Sequence, residues 1–431
     1  MVTRGVRHVV AATAIIAVIA YIVVFSGPGD APIHSDGYSY YVYLPSAFLY
    51  RDLTLEKLAA DWYRGPYPDF TGIRRWPSTG RWMNLHPIGT AVLIAPFFFV
   101  ADLLSRWSNL PRDGFSLYYQ HGAGLAGLAY FLLGLAILRR TLREQFSDGV
   151  VLATLVCITW GTNLFHYGVF DSVFSHAYAF FLVCLFVSLV GRWWDRPTLG
   201  LSLAIGGVAA LNVLVRHTNA IFALSLPLYG IVGWRDVGAR VGELRDRWRM
   251  LAIAAAAGIV VLIPQLVLYK WITGAWFVNA YATHGTGFSF KSPHLIAVLF
   301  STQKGLFFWS PVLLLSVAGL FVATGRARAL ALPAVVLFAC QTYLIASWPQ
   351  WQFGASFGHR GFTDGFALAA PFIASSFAWA SRHRRTVPLF AVGAAAAVLL
   401  SVAQMIQYWI GVLPNADTTW AQYQELFLRF R

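Results

Sequence analysis

Charge is what this sequence has least of. Asp, Glu, Lys and Arg make up only 12% of its 431 residues, against about 25% in soluble globular proteins. Too little solvating surface remains for a water-exposed enzyme, and the 58% hydrophobic content excludes disorder. Cysteine is nearly absent. Cys157, Cys184 and Cys340 all lie in apolar stretches, so neither a disulfide framework nor a thiolate metal site is supported. Lysine is scarce too, with Lys57, Lys270, Lys291 and Lys304 the whole set. The net charge of +14 therefore rests on arginine, and such charge in a greasy chain points to membrane loops and anionic lipid, not to nucleic acid. Abundant Arg and Ala with little Lys points to a GC-rich bacterial genome.

Long apolar runs are what the sequence does have. A membrane-spanning helix needs about 20 mostly apolar residues, and the first run, Val9 to Phe25 after Arg4 and Arg7, exceeds a signal-peptide core. Further runs lie at 86–105, 115–138, 149–168, 172–191, 198–216, 218–234, 249–269, 305–323, 329–347, 362–380 and 387–411. No repeat or linker interrupts them. The expectation is an all-α polytopic membrane protein forming one integral domain over 1–431. It has a first outer loop at 27–114 containing interfacial helices, and a short outer tail at 412–431.

Arginine placement decides the doubtful run. If 86–105 lies on the membrane surface, five short loops holding fifteen Arg (139–143, 192–196, 235–249, 326–328 and 382–385) share the cytoplasmic side, as the positive-inside bias requires. That gives eleven crossings. Nine of the eleven His then lie at the outer face: His34, His86, His121, His166, His176, His217, His284, His294 and His359. Chemistry is expected there.

The outer loops carry the candidate residues. Asp36 in Ser35-Asp36-Gly37-Tyr38-Ser39-Tyr40 is either a general base for an attacking hydroxyl or a helix N-cap, and the Tyr-rich stretch after it suits an interface. His86 in Asn84-Leu85-His86-Pro87 either contacts a phosphate or sugar or caps the helix that Pro87 opens. Asp171 and His176 occupy a tight connection; Asp171 is a second acid beside the first or half of a structural ion pair. Arg216 needs a partner, either Asp171 or a lipid phosphate. Lys304 stands by a short re-entrant stretch, 294–304. The segment Trp348-Pro349-Gln350-Trp351 to His359-Arg360 offers aromatics to stack on a sugar and, in Arg360, a fork for an anion. No ligand spacing supports a metal.

This layout resembles the GT-C superfamily of integral-membrane glycosyltransferases that use polyprenyl-phosphate sugars, nearest the branch of protein O-mannosyltransferases and the lipid A aminoarabinose transferase. Asp36 falls where that superfamily has its first-loop catalytic acid. Asn84 to Pro87 with the following helix is similar to its Lys-x-Pro-Pro-type element, and Gly168 to Asp171 to the Gly/Asp stretch of its second outer loop. Here Gly37 replaces a second acid after Asp36, and one Pro replaces a pair. The resemblance implies inverting transfer to a hydroxyl of a glycan, lipid or protein on the periplasmic face of a bacterial inner membrane, with Asp36 as base and no metal cofactor. It implies Asp171 as a second catalytic acid, and Arg216, Lys304 and Arg360 on the donor phosphate. Tyr40, His86, His176, Gln350, Trp351 and His359 would contact sugar or acceptor. Alternatives are a transporter or flippase for a lipid-linked sugar, or another membrane transferase such as an acyltransferase or polymer ligase. The absence of a repeat and of charge at the helix centres speaks against a transporter.

Overall fold

A computed structural model describes residues 2–27, 31–63, 72–281, 287–383 and 385–431, with the side chains of 2–10 and 60–63 outside that description. His284 and Arg384 therefore lie outside it. The chain begins with helix α1 (Val2–Val24). The first outer loop then folds into α2 (Asp36–Tyr41), α3 (Tyr43–Phe48), α4 (Glu56–Tyr63) and an antiparallel hairpin of β1 (Ile73–Arg75) and β2 (Trp82–Asn84). Next come α5 (Gly89–Trp107), α6 (Leu117–Leu142), α7 (Asp148–Trp160), α8 (Leu164–Val169), α9 (Ser175–Asp195) and α10 (Leu199–Val215). A 3-10 segment, His217–Leu224, leads into α11 (Ser225–Leu228), α12 (Trp234–Asp246) and α13 (Trp248–Thr273). The last part holds α14 (Leu295–Phe300), α15 (Leu306–Trp309), α16 (Leu314–Val322), α17 (Gly325–Ala329), α18 (Ala331–Ala346), α19 (Phe366–Ser381), α20 (Val387–Trp409) and α21 (Trp420–Leu426).

Among the described residues five helices, α5, α6, α9, α13 and α20, are long and apolar enough to cross a membrane. Their outward faces are greasy: Val260 is 64% exposed on α13 and Leu399 67% on α20. Contiguous apolar surface of this kind is unfavourable in water and at home in lipid. The chain is a membrane protein.

Several expected helices are interrupted. The run at 149–168 breaks after Trp160 and resumes as α8, and the run at 305–323 breaks at Pro311, whose missing N–H and fixed φ stop a helix. The expected helix at 218–234 is instead the 3-10 segment and the single turn of α11, ending at Tyr229. A 3-10 helix rises about 2.0 Å per residue, so this short stretch still runs from His217 to Gly230, whose N–H bonds Ala329. The expected Tyr-rich interfacial stripe is corrected as well. Tyr38, Tyr40 and Tyr41 are buried, because α2 and α3 pack on α5 and on Phe115 through Tyr41 and Phe98 (6.0 Å) and Tyr38 and Phe115 (5.5 Å). Pro87 precedes the N-cap Ile88 of α5 and does not open its first turn.

The bundle has two chemically different ends. At one, Arg326 bonds Glu144 (2.6 Å) and Asp195 (2.8 Å), Arg143 bonds Asp148 (2.8 Å), and Arg240 lies 3.6 Å over Trp194. Four of the arginine-rich loops thus gather together, each exposed pair contributing about 0–1 kcal/mol. Helix α9 spans 21 residues, roughly 30 Å at 1.5 Å per residue. It carries Arg192 into this end and His176 into the other.

At the opposite end glycine permits backbone contact. A Cβ on Gly127 of α6 would overlap the Ser172 carbonyl, and one on Gly89 would overlap the backbone at Leu214. Both ends of α5 lie here: Gly89 against the end of α10, and Asp102 bonded by Tyr119 Oη (2.7 Å) at the start of α6. Substituting Gly127→Val should lower the melting temperature, since overpacking of this kind costs about 1–3 kcal/mol. An unchanged melting curve would mean that α6 and α9 do not meet at Ser172.

Candidate active site

Asp36 opens α2, yet its side chain does not cap that helix. Ser35 precedes it with φ 46°, and no side-chain cap bond forms. The N-cap alternative is therefore set aside. The carboxylate turns instead to Arg360, with Nη1 donating to Oδ2 at 2.8 Å across 324 residues of sequence. Arg360 is placed by the 3-10 turn Arg360–Gly365, which Gln341 Nε2 ties to α18 by donating to the Gly361 carbonyl at 2.8 Å. The pair is half-buried, 29% exposed for Asp36 and 17% for Arg360. Burial disfavours the carboxylate, but the charge and hydrogen bond of Arg360 oppose it, and Asp36 is held below its ordinary value. The guanidinium is pushed the other way. Burial lowers it, and the attraction of Asp36 more than restores it.

His86 stands beside the pair. Its ring packs against Tyr40 at 4.2 Å, and among the described residues its buried Nδ1 has no hydrogen-bond partner and so caps no turn. Burial pushes the imidazole down to about 4 in spite of Asp36, with Arg360 and Arg216 adding to the effect. It is thus a neutral donor or acceptor. Tyr40 Oη accepts from Ser175 Oγ at 3.0 Å, which locks the start of α9 to α2. Burial and then Asp36 raise its phenol above the ordinary range.

Behind this layer lies a second acid–base group. Arg216 Nη1 donates to His176 Nδ1 (3.0 Å) and to Asp364 Oδ2 (3.3 Å). Asp364 is 1% exposed, so it is an acid deep in protein that only a cation can hold. The expected Arg216 partner, Asp171, is corrected to Asp364. Asp364 was masked because it falls within an apparent membrane run; an ionisable residue inside such a run is itself a functional signal. Tyr281, which shares the fields of Asp36, Arg216 and Arg360, carried no motif that could have announced it.

Asp171 sits one step away and is fully engaged. His34 Nε2 meets Oδ1 at 3.2 Å and His166 Nε2 meets Oδ2 at 3.0 Å. Burial opposes its charge, but His166 and then His34 hold it far below the usual carboxylate range. The imidazoles take different oxygens, and among the described residues no group of three such side chains converges to hold a metal.

No protein-family model and no curated protein matches the chain.

The remaining expected residues divide. Lys304 is buried, its ammonium donating to the Asn415 carbonyl (2.9 Å) and to the Ser356 carbonyl. That corrects its place on a donor phosphate: it ties the 354–358 loop to the stretch before α21. Burial, with help from Arg360, lowers it to about 8. His359 is 2% exposed, lowered to about 3 by burial and then by Lys304 and Arg360. Trp351 belongs to the hydrophobic core and is not free to stack on a sugar, and Gln350 is exposed on the loop beyond α18. The assignment of Trp351 is corrected. Asp36, Tyr40, His86, His176, Arg216 and Arg360 are the expected residues that come together.

Proposed function

We propose that the chain is an integral-membrane glycosyltransferase that moves a sugar from a polyprenyl-phosphate donor to a hydroxyl acceptor, as the GT-C resemblance implies. The observation that carries this reading is the Asp36–Arg360 pair, a base and an anion-binding fork held in contact beside a neutral imidazole. In the reaction the acceptor O–H gives its proton to Asp36 while its oxygen bonds the sugar C1. The bond from C1 to the phosphate oxygen breaks, and the electron pair leaves with polyprenyl phosphate. Arg360, with Arg216 beyond it, meets the charge that grows on that phosphate. A phosphate that draws Arg360 away from Asp36 removes the charge that depresses the carboxylate, so donor engagement itself makes the base stronger.

An apolar groove of about 280 Å³ supports a lipid-borne donor. It runs between α16, α18 and α19, lined by Val317, Leu320, Phe338 and Phe372, and reaches Gln341 and Phe362 behind the turn that carries Arg360. Filling it with Val317→Trp should raise KM about tenfold for a long-chain donor and leave a short-chain donor unaffected. Equal effects on both would place the prenyl chain elsewhere.

The topology in this reading has eleven crossings with α5 on the surface. Support comes from both ends of α5 meeting outer-end neighbours, and from the arginine loops gathering at the end away from Asp36. The positive-inside bias then puts the site on the outer, periplasmic side of a bacterial inner membrane. The experiment is reconstitution with a polyprenyl-phosphate sugar and an added hydroxyl acceptor. Release of polyprenyl phosphate, one per sugar transferred, supports the reading; donor carried intact between leaflets makes the chain a transporter.

A further inference from the structure

His34 lies two residues before the base, and both of its ring nitrogens face acceptors. Nδ1 is 2.9 Å from the Ala31 carbonyl and Nε2 is 3.2 Å from Asp171 Oδ1. Each contact needs an N–H, so the ring in this arrangement is an imidazolium. The far side of Asp171 has the opposite logic. Trp409 Nε1, a donor only, gives its hydrogen to His166 Nδ1 at 2.9 Å, so His166 keeps its one proton on Nε2 and donates it to Asp171 Oδ2 at 3.0 Å. A continuous chain thus runs from the end of α20 through α8 and the α8–α9 connection to the residue before Ser35. Ser35 has the left-handed backbone, φ 46°, that a residue with a side chain rarely adopts. The turn around it closes by Gly37 N–H donating to the His34 carbonyl at 2.8 Å, so the residue that starts the turn toward Asp36 is the one whose ring is braced.

We infer that His34, braced on Asp171, is a positioning residue that fixes Asp36 toward its acceptor, and that Asp171 acts through His34 without touching the substrate. This rests on Asp36 as the base. It changes the role of the second acid: each of its oxygens takes an imidazole N–H, and it reaches the base through His34.

The charges around His34 agree with the geometry. Asp171 faces it from the α8–α9 connection, the Phe174 ring lies 5.7 Å away, and its own segment offers only backbone carbonyls. Behind Asp171 stand His166, Tyr167, Tyr408 and Arg360. Burial acts against the imidazolium, but the hydrogen bond and charge of Asp171 outweigh it and raise His34 above 6.5. A group raised on folding stabilises fully below its unfolded value and loses that contribution as pH climbs through the folded one. The brace is therefore intact below the ordinary imidazole value and opens only as pH climbs through the raised one.

The test uses the full chain in lipid nanodiscs. In His34→Gln, kcat at pH 6 should fall about tenfold or more with donor KM unchanged, and the alkaline fall in kcat expected of the wild type as His34 loses its proton should vanish. His34→Lys, which keeps a cation against Asp171, should recover part of the rate without that alkaline fall near neutral pH. Melting temperature supplies a readout independent of transfer: His34→Gln should melt below wild type at pH 6, and the gap should close as pH rises through the raised value of His34. A melting difference that does not close with pH, or a kcat profile identical to wild type, overturns the inference. If the wild type transfers no sugar while the melting signature holds, the glycosyltransferase reading falls and the brace stands.

Discussion

Replacing Asp36 with Asn should lower kcat by about 10²- to 10⁴-fold, the range typical of a lost general base. The change keeps the size of the side chain and an oxygen for Arg360 to donate to, so the fold should persist and donor KM should hardly move. Because Arg360 keeps Asp36 below its ordinary value, the base is already ionised across the neutral range. No acid limb from this group should appear in the free protein's kcat/KM between pH 5 and 8. The same sign governs stability: a depressed carboxylate contributes above its unfolded value and loses that contribution as pH falls through the folded one. Transfer in Asp36→Asn within a few-fold of wild type would remove Asp36 as base.

The second large effect is expected at Arg360, which serves two groups at once. Arg360→Ala should reduce kcat by about 10²- to 10³-fold through the uncompensated phosphate. It should also bring an acid limb into the kcat/KM profile, because burial, the largest influence on Asp36, then acts without its main opponent. Arg360→Lys keeps a charge but loses the planar fork, so it should recover part of the rate and most of the wild-type pH profile. Leaving Asp36 unpaired costs stability by about 1–3 kcal/mol, toward the low end since the carboxylate is partly exposed. A rate loss with no change in pH profile would show that Arg360 does not set the ionisation of Asp36.

The long helices were legible because a bilayer imposes a length and a composition. Runs expected at 115–138, 172–191, 249–269 and 387–411 correspond to Leu117–Leu142, Ser175–Asp195, Trp248–Thr273 and Val387–Trp409. Interruptions were not legible, since a run of apolar residues looks alike whether it is an α-helix, a 3-10 segment at 217–224 or two helices broken near Gly161. Pro264 lies inside α13 and Pro96 inside α5, while Pro311 ends α15; neighbours decide which proline breaks a helix.

The site was legible by residue type but not by pairing. Asp36 and Arg360 could each be named as an ionisable group at an outer helix end, but nothing in the sequence joins positions 324 apart. Asp364 was hidden by its apolar surroundings and Trp351 was misleading, because an aromatic in a loop looks the same whether it faces a ligand or, as here, the core. The tautomers of His34 and His166 needed three-dimensional acceptors before they could be assigned at all.

The most direct measurement is the anomeric configuration of the first product formed by the reconstituted protein from a donor of defined anomer, read by NMR of the glycosidic linkage. One displacement at C1, with Asp36 taking the acceptor's proton and Arg360 holding the departing phosphate, must invert that centre. An inverted linkage is the predicted result; a retained one requires a covalent sugar–protein intermediate and would contradict the account.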